Sequence, residues 1–448
     1  NMTLPEYNLQ LFENKGDHFI DVTQSAGLDR SGFPNAAVIG DFNKDGWPDI
    51  YVANDFDAPD FLYYNNRDGS FTYKTESSLR HTSFYSMGVD AADINNDSHL
   101  DLMVLDMTAE DNFRLKSNMS AMNPESFWKV VNGGGHYQYM FNTMQINNGN
   151  DTFSDIAQLT GTAATDWSWS SLVADFDNDG NKDIYITNGL LRDIRNTDAD
   201  KKIAEIVSKK INDYLTNNLN DSEISLWDVV DLEELLNLLP SQKLKNYYYK
   251  NNGNLKFSNI TDDSGLNQPS FSHGASYVDL DKDGDLDIVV NNVNALPFIY
   301  RNNSEKNENN FIRLKLIDEK PTFGTKVSIY YNNEFQYFET TNVRGIYSTS
   351  EDVVHFGINK SKSVDSITIE WPDQTFQKIL TPKINKTHKV KKRGSIKNIN
   401  SSFDKKTIFN EDKSLLKHTH KENYFNDFDK QVLLPHKLSQ LGPALAKG

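Results

Sequence analysis

One nine-residue pattern recurs four times in this chain and narrows what it can fold into. It reads DFNKDGWPD over 41–49, DINNDSHLD over 93–101, DFDNDGNKD over 175–183 and DLDKDGDLD over 279–287. Every copy has Asp at positions 1, 5 and 9, and Asp or Asn at position 3. That spacing turns several oxygens toward the inside of one tight loop, as a hard divalent cation requires. The side chains are Asp41, Asn43, Asp45 and Asp49; Asp93, Asn95, Asp97 and Asp101; Asp175, Asp177, Asp179 and Asp183; and Asp279, Asp281, Asp283 and Asp287. Position 7 offers a backbone carbonyl, at Trp47, His99, Asn181 and Asp285. Calcium, which takes about 6–8 oxygens, is the expected ion. A single loop of this kind reads equally well as a solvated turn closed by Asx hydrogen bonds. Four loops in one register favour the metal.

The loops follow the EF-hand pattern for five residues and then leave it. An EF-hand places a bidentate Glu at position 12, where this chain has Val52, Val104, Ile186 and Val290. The runs DIYVAN, DLMVLDM, DIYITN and DIVVNN follow the loops, and runs such as AAVIGD and SLVAD precede them. β-Branched and aromatic residues of this kind favour strands. The unit is therefore a β-hairpin whose turn holds an ion, with the ninth Asp reaching back from the outgoing strand.

A second motif accompanies the first. Strands rich in aromatic and apolar residues meet at Asn/Gly/Asp turns in segments starting at Leu11, Leu62, Met144 and Tyr248. Asn-Gly and Asp-Gly pairs tolerate positive φ and form hairpin turns. Joining the two motifs gives four-stranded units of about 45–50 residues, a propeller-blade period. The units fall at about 9–57, 61–108, 142–190 and 247–295. Insertions at 109–141 and 191–246 interrupt them. Within the second, DADKKIAEIVSKKINDYL and ISLWDVVDLEELLNLL carry apolar residues at helical spacing. Both insertions are expected as helices on one face of the propeller. Alternating runs from Phe311 to Leu380 predict a small antiparallel β-sandwich, and the polar, partly basic stretch 381–432 predicts a linker.

These phrases resemble FG-GAP/VCBS repeats, the calcium-binding blades of integrin-α-type propellers. The wording is closer still to that of bacterial surface proteins in which VCBS repeats precede an ASPIC/UnbV domain, a group related to cartilage acidic protein. DGWPDIYVANDF (45–56), HTSFYSMGVDAADINND (81–97), TDWSWSSLVADFDNDG (165–180) and PSFSHGASYVDLDKDGDLDIVVNN (269–292) carry the repeat resemblance. RLKLID (313–318), VRGIYS (343–348), VHFGI (354–358) and EWPDQ (370–374) resemble the ASPIC/UnbV signature. The resemblance implies an all-β fold: β-propeller blades, part of a propeller of about seven, with helical insertions, followed by the sandwich. Four blades are visible, and 433–448 resembles the start of a further FG-GAP repeat. The expectation is a fragment of a longer protein whose blades form an open arc; the alternative is four blades closed into a small ring.

Two departures stand out. Position 6 is Gly46, Gly180 and Gly284 in three loops but Ser98 in the second. With fewer carboxylates as well, the second loop is expected to bind calcium most weakly. Gln374 stands where the resembled family has Gly after WPD, which predicts an altered turn in an intact fold.

The net charge is −17, and much of the acidity lies in the loops. No basic stripe suits nucleic acid. There is no cysteine, which excludes disulfides and thiolate metal sites. No apolar run approaches the ~18 residues of a membrane span, and no signal-peptide pattern opens the chain. His81, His136, His273 and His355 show no zinc-site spacing, and His355 is expected to be structural. GGG at 133–135 lacks the strand–turn–helix context of a phosphate loop. Trp167 and Trp169 read first as a core and a rim residue, with an aromatic platform for a sugar or peptide as the alternative. The expected function is a non-enzymatic, calcium-binding, extracytoplasmic surface or secreted protein. Its partner would be a glycan, a peptide or an outer-membrane protein. The alternative is a calcium-dependent polysaccharide lyase with an Arg or His base.

Overall fold

The computed structural model describes residues 9–56, 58–118, 124–217, 229–393, 396–397 and 427–430. Residues up to 398 form one compact unit, and 399–448 form another. In the latter, the described residues include a 3-10 turn at Asp427–Asp429. The expected further repeat at 433–448 and most of the expected linker lie outside the described residues.

The described residues open with a hairpin, β1 (Phe12–Asn14) and β2 (Phe19–Asp21). The first blade is an antiparallel meander of β3 (Pro34–Gly40), β4 (Asp49–Asn54), β5 (Phe61–Asn65) and β6 (Phe71–Tyr73). After it comes β7 (Thr82–Ser83). The second blade joins β8 (Val89–Ala92) and β9 (Asp101–Val104) to β11 (Thr143–Asn147) and β12 (Phe153–Asp155). The intervening β10 (Gln138–Tyr139) pairs in parallel with β7. The third blade holds β13 (Ser168–Ala174), β14 (Asp183–Asn188), β15 (Tyr247–Asn251) and β16 (Phe257–Asn259). The fourth has three strands, β17 (Ser272–Val278), β18 (Asp287–Asn292) and β19 (Phe298–Tyr300).

The sheets run half a unit out of phase with the units drawn from sequence at about 9–57, 61–108, 142–190 and 247–295. Each Asp-rich hairpin leads its sheet and pairs with the Asn-turn hairpin that follows it. The second strand of one hairpin bonds to the first strand of the next, even across an insertion of more than fifty residues between Asn188 and Tyr247. Long insertions cost little extra loop-closure entropy, so chain distance does not decide the pairing.

The apolar runs of the second and third blades are continuous because these blades are covered on both sides. On β9, Leu102 and Val104 pack with Val38, Tyr51 and Leu62 of the first blade. Met103 and Leu105 face the other way, onto Val173, Ile184 and Ile186 of the third. Strand side chains alternate faces, so a strand sandwiched between two sheets must be apolar at every position. The third and fourth blades meet in the same way through Leu172, Tyr185, Ile288 and Val290. The leading strands touch in series: β3 with β8, β8 with β13, and β13 with β17.

In a meander, the turns after the first and third strands lie at one end and the turn after the second at the other. The Asp-rich loops and Asn turns therefore share an end, and both insertions leave from the opposite one. Helices form there where the spacing predicts them: Thr197–Asn217, which Asn196 caps by accepting the Ala199 N–H at 2.9 Å, and Leu232–Leu238, which Asp231 caps. Residues 218–228 lie outside the described residues. The three glycines 133–135 close the helix Pro124–Asn132, with Gly134 at φ +93°.

A β-sandwich follows. One sheet is β20 (Phe311–Ile317) flanked by β23 (Val354–Gly357) and β26 (Thr387–Lys391). The other orders β22 (Glu334–Glu339), β21 (Lys326–Tyr331), β24 (Ser366–Glu370), β25 (Thr375–Leu380) and β27 (Ile396–Lys397). Its core is Leu314, Val327, Ile329, Phe356, Ile367 and Trp371, all buried. The linker expected from 381 therefore begins too early. Val390 is the one buried residue of β26, and an edge strand rich in lysine looks like a linker in sequence.

Candidate metal centre on the blade loops

Each Asp-rich loop is a turn between the first two strands of a blade, wound around its first Asp. Asp41 accepts the N–H groups of Asp45 and Gly46 at 2.9 and 2.8 Å. Asp93 takes those of Asp97 and Ser98, and Asp175 those of Asp179 and Gly180, at 2.9–3.1 Å. The winding requires left-handed backbone at position 6, where Gly46, Gly180 and Gly284 have φ of +94° to +97° and Ser98 has +77°. It requires the same at position 4, where Lys44, Asn96, Asn178 and Lys282 have φ of +58° to +65°. The strain at Ser98 is partly offset, because its hydroxyl lies 2.6 Å from Lys44 Nζ.

The ninth Asp does more than reach toward a cation. Asp49, Asp101, Asp183 and Asp287 each accept the position-2 N–H of their own loop at 2.9–3.3 Å. Each also accepts the N–H of an Asn at the end of the third strand of the blade, Asn65, Asn147 or Asn251, or two residues past it, Asn302, at 2.8–2.9 Å. A carboxylate has about four lone-pair sites. About two remain for an ion at Asp101 and Asp287. About one remains at Asp49, which also accepts the Asn43 N–H at 3.4 Å, and at Asp183, which also accepts the Tyr248 hydroxyl at 2.9 Å.

Those asparagines were not singled out in the sequence, and three of them stitch blade to blade. Asn147 donates to Leu100 O at 3.2 Å and to Phe42 O of the preceding loop at 2.8 Å. Asn251 links Lys182 O to Ile94 O, and Asn302 links Leu286 O to Phe176 O. Position 4 adds a second stitch: Asn96 donates to Gly180 O and Asn178 to Gly284 O, at 3.0 and 3.2 Å. The available signal was the first Asn of each Asn-Asn pair, 65–66, 147–148, 251–252 and 302–303.

Carboxylate oxygens converge within 4.8 Å at Asp175, Asp177 and Asp183 in the third loop, and at Asp279, Asp281 and Asp283 in the fourth. Asp285 turns aside to Ser304 Oγ at 3.0 Å and groups with Asp283 and Glu305. In the first two loops position 3 is an amide, and Asn43 and Asn95 accept the N–H groups of Asp45 and Asp97 at 3.0 and 3.1 Å. Among the position-7 residues, Trp47 is exposed, the His99 ring lies 3.2 Å from Asp97 Oδ1, and Asn181 donates to Asp179. Burial pushes Asp49 and Asp175 up to about 7 and Asp93 up to about 6, and drives Asp101 and Asp183 well above the usual carboxylate range. Hard oxygen donors, desolvated and crowded, fit a divalent cation, which would favour their charged forms.

The sandwich covers this end of the blades. Lys326 pairs with Asp41, and Arg313 with Asp279 and Glu351. The buried His355 lies 2.7 Å from Asn178 Oδ1, and burial holds it well below the usual histidine range, which makes it a packing residue. The segment 341–352, between β22 and β23, is a strap along the leading strands. Val89 N–H donates to Gly345 O at 3.3 Å, Arg344 pairs with Asp90 at 2.7 Å, and Tyr277 N–H donates to Ser350 Oγ. Gly345 has φ +61°, and a Cβ there would meet Ser170 Oγ at 1.9 Å. At Gln374 φ is +62°, which is why glycine suits that turn better. Trp167 is buried with Met87 and Met107, and half-buried Trp169 donates to Gly189 O at 2.7 Å.

Repeated antiparallel blades of three or four strands with ion-type loops, helical insertions and a following sandwich define an all-β repeat protein of the propeller type. Matches to the FG-GAP-like repeat family cover residues 3–52, 41–104, 130–186 and 235–290, and a match to the ASPIC and UnbV family covers 317–397. The chain belongs to the FG-GAP-repeat proteins that carry an ASPIC and UnbV domain. No curated protein matches it. Among solved structures, an Agrocybe aegerita lectin described as recognising non-reducing terminal N-acetylglucosamine is 13% identical, at a TM-score of 0.31 over 78% of this chain and 79% of that one. The Photorhabdus luminescens Tc holotoxin pore is 11% identical, at a TM-score of 0.26 over 80% of this chain and 12% of that one. At those scores neither likeness bears on the ligand.

Proposed function

We propose that this protein is a calcium-binding, extracytoplasmic propeller protein that presents its insertion-bearing end to a surface ligand, with a glycan as the leading class and a peptide or outer-membrane protein as the others. The observation that carries the calcium part is the convergence of Asp175, Asp177 and Asp183 within 4.8 Å in a buried loop. Asp41, Asn43, Asp45 and Asp49, and their counterparts in the other loops, would hold the ions, which would neutralise carboxylates and stiffen the hairpins. Extracellular modules bind calcium at about 10⁻⁴–10⁻³ M, a level met outside cells and not in a cytosol; this supports the location. No helix among the described residues is long and apolar enough to cross a membrane. The sandwich covers the loop end, which leaves the insertion end for partners. As for a lyase, the sandwich buries Arg313 and His355 beside loops three and four, whereas Arg301 lies exposed against Asp281 and Asp283 of the fourth loop at 2.7 and 3.3 Å, so the alternative is decided by assay. The test is melting in calcium against melting in chelator, run beside an assay of acidic polysaccharides for unsaturated uronate absorbance. A calcium-dependent melting shift without uronate product supports the reading, and product formation overturns its non-enzymatic part.

A further inference from the structure

At the insertion end lies a cleft of about 820 Å³ between the 109–118 segment, residues 242–247 and the third blade. Its floor is built from buried polar groups. Arg114 donates to both oxygens of Asp166 at 2.5 and 2.9 Å, to Asp193 at 3.2 and 3.3 Å, and to Gln242 at 3.0 Å. Two carboxylates thus more than cancel one guanidinium, and its donors are spent. Asn188, 1% exposed, lines the same floor, and its carboxamide oxygen has no hydrogen-bond partner. A buried acceptor is unfavourable unless something donates to it.

The walls repeat the imbalance. Glu110, Asp111, Asp262 and Asp263 line them, and Lys245 pairs with Asp262 at 2.5 Å. The cleft therefore offers acceptors and negative charge, and few free donors. At the rim Phe113 is 73% exposed, and Tyr247, whose hydroxyl donates to Glu110 at 3.1 Å, also lines the cleft. Aromatic faces beside an acceptor-rich floor suit a ring with apolar C–H on one side and hydroxyl or ammonium donors on its edge. The volume falls within the ~300–1,000 Å³ of small-ligand sites.

We infer that this cleft binds a neutral or amino-bearing saccharide and rejects uronates. The inference rests on the glycan part of the proposed function and gives it a place and a charge preference. The anionic walls repel carboxylated sugars, while the Asn188 oxygen and the wall carboxylates accept from hydroxyl or ammonium groups.

The test is calorimetric titration of the full chain in calcium with three probes: a glucosamine trimer, a trigalacturonate and trilysine. The glucosamine trimer is expected to bind about tenfold more tightly than trigalacturonate. Phe113→Ala, at an exposed position, is expected to weaken it about fivefold, and Glu110→Gln to weaken it while leaving the melting temperature unchanged. Equal or tighter binding of trigalacturonate overturns the inference, as does a glucosamine affinity that neither variant changes. Trilysine binding without glucosamine binding assigns the cleft to basic peptides and also overturns it. A chain that binds no saccharide but still melts higher in calcium overturns the cleft assignment and leaves the calcium reading standing.

Discussion

Replacing Arg344 with alanine should unfold more than the strap it belongs to. Its guanidinium lies 2.7 Å from Asp90, and the two side chains are 5% and 0% exposed. Asp90 also accepts the Val173 N–H at 2.8 Å, so one carboxylate joins the second blade, the third blade and the sandwich. The guanidinium also sits 5.6 Å from the rings of both Tyr277 and Phe338. Removing one member of a buried pair leaves the other charge uncompensated, at a cost of about 3–5 kcal/mol. Asp90→Asn combined with Arg344→Met removes both charges and should recover most of that loss, because a buried pair replaced by neutral packing is often close to neutral. The assay is urea denaturation at fixed calcium, followed by tryptophan fluorescence, with hydrogen exchange read on β8 and β13. A single-variant loss below about 1 kcal/mol, or a double variant no better than the single, would refute the idea that this pair locks the strap to the blades.

Asp60 is buried, accepts from Tyr51 Oη at 2.6 Å and Asn54 N–H at 2.8 Å, and is pushed by burial up to about 7. Its unfolded value is about 3.9, so its cost to stability is absent below about pH 4, grows between 4 and 7, and is full above 7; Asp60→Asn should therefore gain about 4 kcal/mol at pH 8 relative to pH 4, measured as the variant-minus-parent difference in denaturation free energy. Asn147→Ala should cost about 2–3 kcal/mol in the same assay, since it leaves the Phe42 and Leu100 carbonyls without their donor. Gln374→Gly should stabilise by about 1 kcal/mol by relieving left-handed backbone, read as a higher melting temperature.

Much of the blade architecture was legible because its physics is local. The continuous apolar runs DIYVAN and DIYITN mark strands covered on both faces, and the Asp spacing marks the turns between them. The helix over 197–217 was legible from its spacing as well. The pairing phase was not, because both ways of grouping the hairpins satisfy the same local pattern. What separates them is which strands share an edge, and for β14 and β15 that edge spans an insertion. The role of Asp90 was hidden for a similar reason: its partner Arg344 lies 254 residues away. Position 4 of the loops was missed because only two of its four residues, Asn96 and Asn178, belong to a type that favours left-handed backbone, while Lys44 and Lys282 do not. Of the candidate site, the sequence pointed to the loop oxygens. It did not reveal that the ninth Asp is also a backbone clamp, or that a sandwich cation reaches the first Asp of loops one and four.

The most direct measurement is a calcium titration by calorimetry on chelator-stripped chain, repeated with Asp41→Asn, Asp93→Asn, Asp175→Asn and Asp279→Asn. Four equivalents in the parent and one fewer in each variant are predicted, with Asp93→Asn removing the weakest step, because the second loop has Ser98 and Asn95 in place of Gly and Asp. Each site should stabilise the fold by about 2.7 kcal/mol at a hundredfold excess over its dissociation constant. A parent chain that takes up no calcium and melts at the same temperature in excess chelator would contradict the account, and the four loops would then be ordinary Asx turns.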